Sequence, residues 1–172
     1  MSALNKFGLA AIIGGWAGVA TWLTASEQLN VPTWVVFLAW ASYFIFGAQP
    51  RSSAKGLAQV VLGALIAALM LLVGPKFAPM LGAWTFPTLV FIVAFGIAFF
   101  EWTPVNNIPA FYIGLSMMVG SGFAPDIPHI LKLLIAISLG FIFGLASVVS
   151  RTAFLAMSDK RSKSRETAVY VP

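Results

Sequence analysis

Residues 56–73 read GLAQVVLGALIAALMLLV, eighteen successive positions without a charged side chain. As a helix rising 1.5 Å per residue, this stretch covers about 27 Å, close to the roughly 30 Å of hydrocarbon in a bilayer. The whole chain of 172 residues is 60% hydrophobic and 9% charged, too apolar to be held in water around one soluble core. Comparable runs at 7–25, 31–48, 86–100, 108–123 and 130–150 accompany it. The pattern predicts an all-α, polytopic membrane bundle of six transmembrane helices. A breaker or charge stands in each gap: Glu27 to Asn30, Pro50-Arg51, Gly74-Pro75-Lys76 with Pro79, Glu101 to Asn107 with Pro104, and Ala124 to Pro128. The fourth and fifth runs are short and contain Pro87, Pro109 and Gly120-Ser121-Gly122, which leaves tilted, kinked and partly re-entrant forms open. The first run follows a single Lys6, but it is too long for the apolar region of a signal peptide and is read as a retained span.

The absence of cysteine removes disulfides, thiolate metal sites and a cysteine nucleophile. The net charge is +5, and five of the ten basic residues lie between Arg151 and Arg165, just past the last apolar run. That position suits a cytoplasmic anchor on anionic lipid rather than a nucleic-acid surface. The chain therefore divides into a transmembrane domain at 1–151 and a basic cytoplasmic tail at 152–172, with Lys160, Arg161, Lys163 and Arg165 facing lipid and the end of the tail disordered. With the amino terminus inside, Lys6, Arg51, Lys55 and the tail cations are cytoplasmic, leaving Lys76 and Lys132 outside, so both termini are cytoplasmic. Trp22, Trp34, Trp84 and Trp102 then fall near span ends, whereas Trp16 and Trp40 lie deeper and are expected to pack between helices.

A self-match at an offset of 77 residues sets Asn30-Val31-Pro32-Thr33-Trp34 against Asn107-Ile108-Pro109-Ala110-Phe111. Without a gap, Lys55 then meets Lys132 and Leu62-Gly63 meets Leu139-Gly140. Three spans separate each residue from its mate, and three is odd, so the halves, about 1–75 and 76–151, are expected to form a 3+3 inverted-topology repeat. Such repeats occur in channels and transporters, with the permeation site near the repeat interface. Each Asn-x-Pro element suits a helix start, Asn capping an orphan N–H and Pro occupying the first turn. Asn30 and Asn107 also offer carboxamides at opposite mouths of a pathway. Aquaporins carry two asparagine-proline motifs in inverted repeats too, but there the motifs follow the second and fifth spans, so that identity is not assigned.

Candidate lining residues are Asn30, Tyr43, Asn107 and Ser121, with Glu101 at the inner mouth. Glu101 abuts an apolar run, where an ionisable group is either a functional candidate or a headgroup residue ending the helix. His129 is the sole histidine and is read as interfacial, so no metal site is expected. No nucleophile, base and orienter share a depth, and neither catalysis nor a cofactor is expected. Gly14 with Gly18, and Gly140 with Gly144, have the four-residue spacing that lets helix backbones approach, within the bundle or between protomers.

Phe37-Leu38 through Ala41-Ser42-Tyr43-Phe44 to Lys55-Gly56-Leu57 resembles the YcdZ-like family of small bacterial inner-membrane proteins, a domain of unknown function. Ile108-Pro109-Ala110-Phe111-Tyr112-Ile113-Gly114 and Leu139-Gly140-Phe141-Ile142-Phe143-Gly144 extend the resemblance over nearly all six runs. The resemblance implies a multi-pass bacterial inner-membrane location and carries no catalytic residue. The chain departs from the family in the bulky Ala-Gln-Pro-Arg-Ser-Ser-Ala stretch before Lys55, so no site is carried into that loop.

These readings predict a homo-oligomeric channel or facilitator for a small neutral or weakly polar solute, with membrane lipids as partners and no nucleic acid. The alternative is a non-transporting accessory or assembly protein whose glycine faces bind a partner. A further alternative is a coupled secondary transporter using Glu101.

Overall fold

The fold is taken from a computed structural model that describes the backbone at 3–27 and 29–169 and the side chains at 5–27 and 29–160. The described residues form α1 (Ala3–Thr24), α2 (Thr33–Ile45), α3 (Pro50–Leu81), α4 (Thr85–Ala98), α5 (Ile108–Ser121) and α6 (Ile127–Val169), with no strand among them. Short 3₁₀ turns, Gly82–Trp84 and Phe99–Trp102, link α3 to α4 and extend α4. An all-helical chain is what lipid demands, because a helix satisfies its backbone groups within the segment.

Three runs are long and apolar enough to cross a membrane: Asn5–Thr24, Pro50–Trp102 and Ile127–Lys160. The spans expected at 31–48 and 108–123 are met by shorter helices. α2 and α5 are apolar but have only 13 and 14 residues, about 20 Å of helix against roughly 30 Å of hydrocarbon. The run expected at 31–48 loses both ends: Pro32 precedes α2 in extended backbone, and Gly47 (φ +97°) and Ala48 (φ +54°) turn the chain beyond Ile45.

A second correction concerns Pro75 and Pro79. They do not break the chain after position 73, since α3 runs through both to Leu81. Each proline forfeits one backbone hydrogen bond, a loss tolerated in apolar helices where neighbouring groups compensate. The reversal comes instead at Gly82, whose φ of +52° a side chain would disfavour. Leu89 of α4 reaches back to Gly74 of α3, its Cδ1 3.5 Å from where a Cβ on that glycine would sit. In a straight helix those residues would lie about 22 Å apart, so α3 and α4 form a hairpin.

The core is made by two helix pairs, α2 against α6 and α3 against α5. On α6, a Cβ on Gly140 would run into the Val36 carbonyl and Ala39, and one on Gly144 would lie 2.6 Å from Cβ of Tyr43. Positions ascend together, so α2 and α6 run parallel. A Cβ on Gly63 of α3 would meet the Phe111 carbonyl, and one on Gly114 of α5 would meet the Val60 carbonyl and Ala64. Buried Ala39, Ala64, Ala67, Ala110 and Ala136 complete these seams. Lipid offers no hydrophobic drive for helices to associate, and close backbone approach through small residues replaces it.

α1 and α4 sit at the rim. α1 lies antiparallel on α6, with Gly8 under Phe154, Trp16 Nε1–H donating to Ser150 Oγ at 3.2 Å, and Ser158 Oγ donating to Asn5 Oδ1 at 2.9 Å. α4 and the turn after it expose Phe91, Phe95 and Phe99, the first two stacked at 6.1 Å and the second pair edge-on at 5.2 Å, and the row continues to Trp102. Trp22, Trp34, Trp84 and Trp102 are exposed. Trp40 is buried, and Trp16 packs edge-on to Phe143 at 5.9 Å.

Candidate functional site

The expected lining residues do not converge on one site. Asn107 is the N-cap of α5, its Oδ1 accepting from Ala110 N–H at 3.4 Å, with Pro109 beside it in the first turn. Asn30 is not a cap, which corrects the parallel drawn between the two Asn-x-Pro elements. It takes a left-handed turn (φ +40°), an asparagine-tolerant conformation, and its N–H donates to the Ser26 carbonyl at 2.9 Å. Pro32 holds the cap position of α2 without a side-chain hydrogen bond. The entry to α2 is held instead by Thr24 and Thr33, whose hydroxyls are 2.8 Å apart.

The two asparagines lie toward opposite ends of α5. Trp34, one turn past Asn30, brings its ring tip to 3.3 Å from the Cβ position of Gly120 in the last turn of α5, whereas Asn107 starts the first. Ser121 lies at the Trp34 end. Its hydroxyl is engaged locally, donating to the Met118 carbonyl at 2.8 Å and accepting from Phe123 N–H at 3.2 Å. The helix ends there on Gly122 at φ +66°, with its N–H returned to the Val119 carbonyl, so this glycine-serine stretch makes an ordinary C-terminus. Glu101 is exposed in the 3₁₀ turn after α4, between Phe100 and Trp102.

Tyr43 is different. It is 3% exposed, its ring lying on Gly144 and edge-on to Phe141 at 6.2 Å, and Tyr43 Oη has no hydrogen-bonding partner among the described residues. Gln59 on α3, which the sequence reading passed over, is also 3% exposed with Oε1 unpaired. A signal was present: Gln59 is the sole polar side chain in the apolar stretch 56–73, and polar groups inside membrane segments are expensive enough to mark function.

The glycine pairs separate. Gly140 and Gly144 are filled by α2, while Gly14 and Gly18 are exposed with nothing within 4 Å of a Cβ position. At the start of α6, Asp126 accepts from His129 N–H at 3.0 Å and contacts His129 Nδ1 at 2.7 Å. The backbone hydrogen bond, then the imidazole contact, holds the Asp126 carboxyl below its ordinary range. Among the described residues no group of three or more His, Cys, Asp or Glu is placed to hold a metal ion. In the tail, α6 continues as helix to Val169, where a disordered end was expected. Lys160 is exposed on it, and Arg161, Lys163 and Arg165 lie outside the residues whose side chains are described.

An apolar surface on α6, lined by Leu131, Leu134, Ile135, Ser138, Leu139 and Ile142, belongs to one helix face. Neither a curated protein nor a solved structure matches the chain. A family model does, over residues 10–151 and hence all six helices in whole or part, and the chain belongs to that family, described as "Protein of unknown function (DUF1097)".

Proposed function

We propose that the chain is a channel or facilitator for a small neutral or weakly polar solute, built as a six-span, 3+3 inverted repeat. One observation carries the reading: the exchange of partners between the halves. The second helix of the first half packs on the third helix of the second half (α2 on α6), and the second helix of the second half packs on the third of the first (α5 on α3). At these seams lie Gly140 and Gly63, the same pair that the 77-residue offset aligns. A duplicated unit related by a two-fold axis in the membrane plane would pair its helices in this reciprocal way. In this reading α2 and α5 cross with their non-helical ends sheltered in the bundle, where irregular backbone is tolerated. The chain sits in the bacterial inner membrane with both termini cytoplasmic, a placement supported by Lys6, Arg51, Lys55 and Arg151 near the ends of α1, α3 and the apolar part of α6. It assigns no catalysis.

Flux into liposomes holding the purified chain tests it, with water, urea, short amides and ammonia as solutes. Permeability above that of empty liposomes for at least one is expected, and none above them overturns the reading. Topology is a separate test: since the chain lacks cysteine, single Asn30→Cys and Asn107→Cys variants should label from opposite sides of the membrane.

A second reading, a non-transporting accessory protein, is favoured by the open α1 face at Gly14 and Gly18 and the exposed aromatic row of α4. A stoichiometric protein partner co-purifying from native membranes would support it over a self-sufficient homo-oligomer. Coupled transport through Glu101 predicts that Glu101→Gln abolishes gradient-driven uptake; the exposed position of Glu101 makes unchanged flux the expected result.

A further inference from the structure

Tyr43 and Gln59 combine near-complete burial with an unpaired polar atom, and they stand on consecutive helices joined by a short turn. Ser53 Oγ–H donates to the Tyr43 carbonyl at 3.2 Å, and Gly56 is covered by the Phe46 ring, so α3 turns positions 53 and 56 toward the end of α2. Gln59 follows at the next i+3 step on that face. Their depths agree as well. Tyr43 lies two residues from the end of α2, and because helical side chains lean toward the N-terminus its ring carries the hydroxyl to about 9 Å from that end. Gln59 lies nine residues beyond Pro50 at the start of α3, and the same lean brings its carboxamide back to about 10 Å from the turn. The Tyr43 ring rests on Gly144 and Phe141 of α6, at the depth that Gln59 reaches on α3.

We propose that Tyr43 Oη and Gln59 Oε1 form an internal binding site for one small uncharged hydrogen-bonding molecule, water being the smallest. The carboxamide oxygen accepts a hydrogen bond from the occupant, and the phenol donates one to it. Such a molecule satisfies both atoms at once, which an apolar solute does not. The site deepens the permeation reading and rests on it in one respect: the occupant is then the permeating solute.

The test is a high-resolution structure of the full chain in lipid nanodiscs, for the natural sequence, Tyr43→Phe and Gln59→Met, with liposome flux of water and urea measured on the same three proteins. Both substitutions nearly conserve volume and leave Gly144 and the α3 seam filled. The expected result is density within hydrogen-bonding distance of both atoms, absent from each variant, with flux of the permeant solute falling at least tenfold. A direct Tyr43–Gln59 hydrogen bond, separate protein partners for the two atoms, or density unchanged in either variant overturns the site. Density without flux in the natural chain leaves the site standing and sinks permeation; flux unaffected by either variant, with no density, does the reverse. Persistent density under water alone identifies water as occupant, and density that grows with added urea identifies a small amide.

Discussion

Gly140 and Gly144 on α6 share a four-residue spacing with Gly14 and Gly18 on α1, yet the first pair is sealed against α2, while a Cβ on either of the second would meet no neighbouring element within 4 Å among the described residues. The same contrast divides the molecule. In the most apolar window of α1 only 17% is buried, against 44% in each of the other two long runs; two hydrogen bonds and the contacts of Gly8 and Trp16 with Phe154 and Phe143 tie α1 to α6, while the centre is held by backbone approach. Small residues create a groove on a helix, but a groove contributes to stability only when another helix brings a matching ridge. α2 brings one, with Ala39 lying between Val36 and Trp40 at Gly140.

The sharpest way to break this contrast is to add side chains on each side of it. Gly114→Val would drive carbon into the Val60 carbonyl and Ala64 N, backbone atoms that cannot rotate aside. The expected loss is about 3 kcal/mol or more, read as a fall in Tm in detergent. Gly144→Ala meets Tyr43 at 2.6 Å, a side chain with some room to shift, and a cost of about 1–2 kcal/mol is expected. Gly14→Ala meets nothing and should gain up to about 1 kcal/mol from helix propensity alone. A fall in Tm at Gly14 equal to that at Gly144 would mean that α1 is covered in the protein as purified.

A finer version of the contrast uses the repeat mates Asn30 and Asn107. Serine preserves a cap, so Asn107→Ser is expected to be neutral within about 0.5 kcal/mol. At Asn30 the left-handed turn (φ +40°) disfavours serine, and Asn30→Ser should cost about 1 kcal/mol. Equal effects would imply that the two asparagines play one role after all.

The smallest effect concerns the edge of α6. The Asp126 carboxyl is held low by His129 N–H and the imidazole, so its stabilising contribution is present above the ordinary carboxylate pKa and is lost as pH falls through the lowered value. Exchange protection of the His129 amide, corrected for intrinsic rate, should therefore decline with acidification below that range, and Asp126→Ala should remove the dependence.

Much of the helical layout was legible in the chain. The starts of α5 and α6, at Ile108 and Ile127, fall within three residues of where apolar runs begin, and Trp22, Trp34, Trp84 and Trp102 are exposed near helix ends. Other features were not. Pro75 and Pro79 carry the signature of a break, yet α3 runs through both to Leu81, and the α4 hairpin packs back on Gly74. Asn30 and Asn107 share a motif, but a threonine pair rather than the asparagine holds the entry to α2. Gln59 is the one polar side chain of the stretch 56–73, and only the fold shows that it is buried with Oε1 unpaired among the described residues.

The amino-acid order by itself determined that the chain is helical and roughly where α5 and α6 begin, because in an apolar medium each segment must satisfy its own backbone from residues three and four positions away. Tertiary structure alone decided which helices exchange partners, which glycines are filled and which polar atoms are left without a partner. Those outcomes depend on surfaces brought together from positions as far apart as Tyr43 and Gly144, and local periodicity carries no record of that distance.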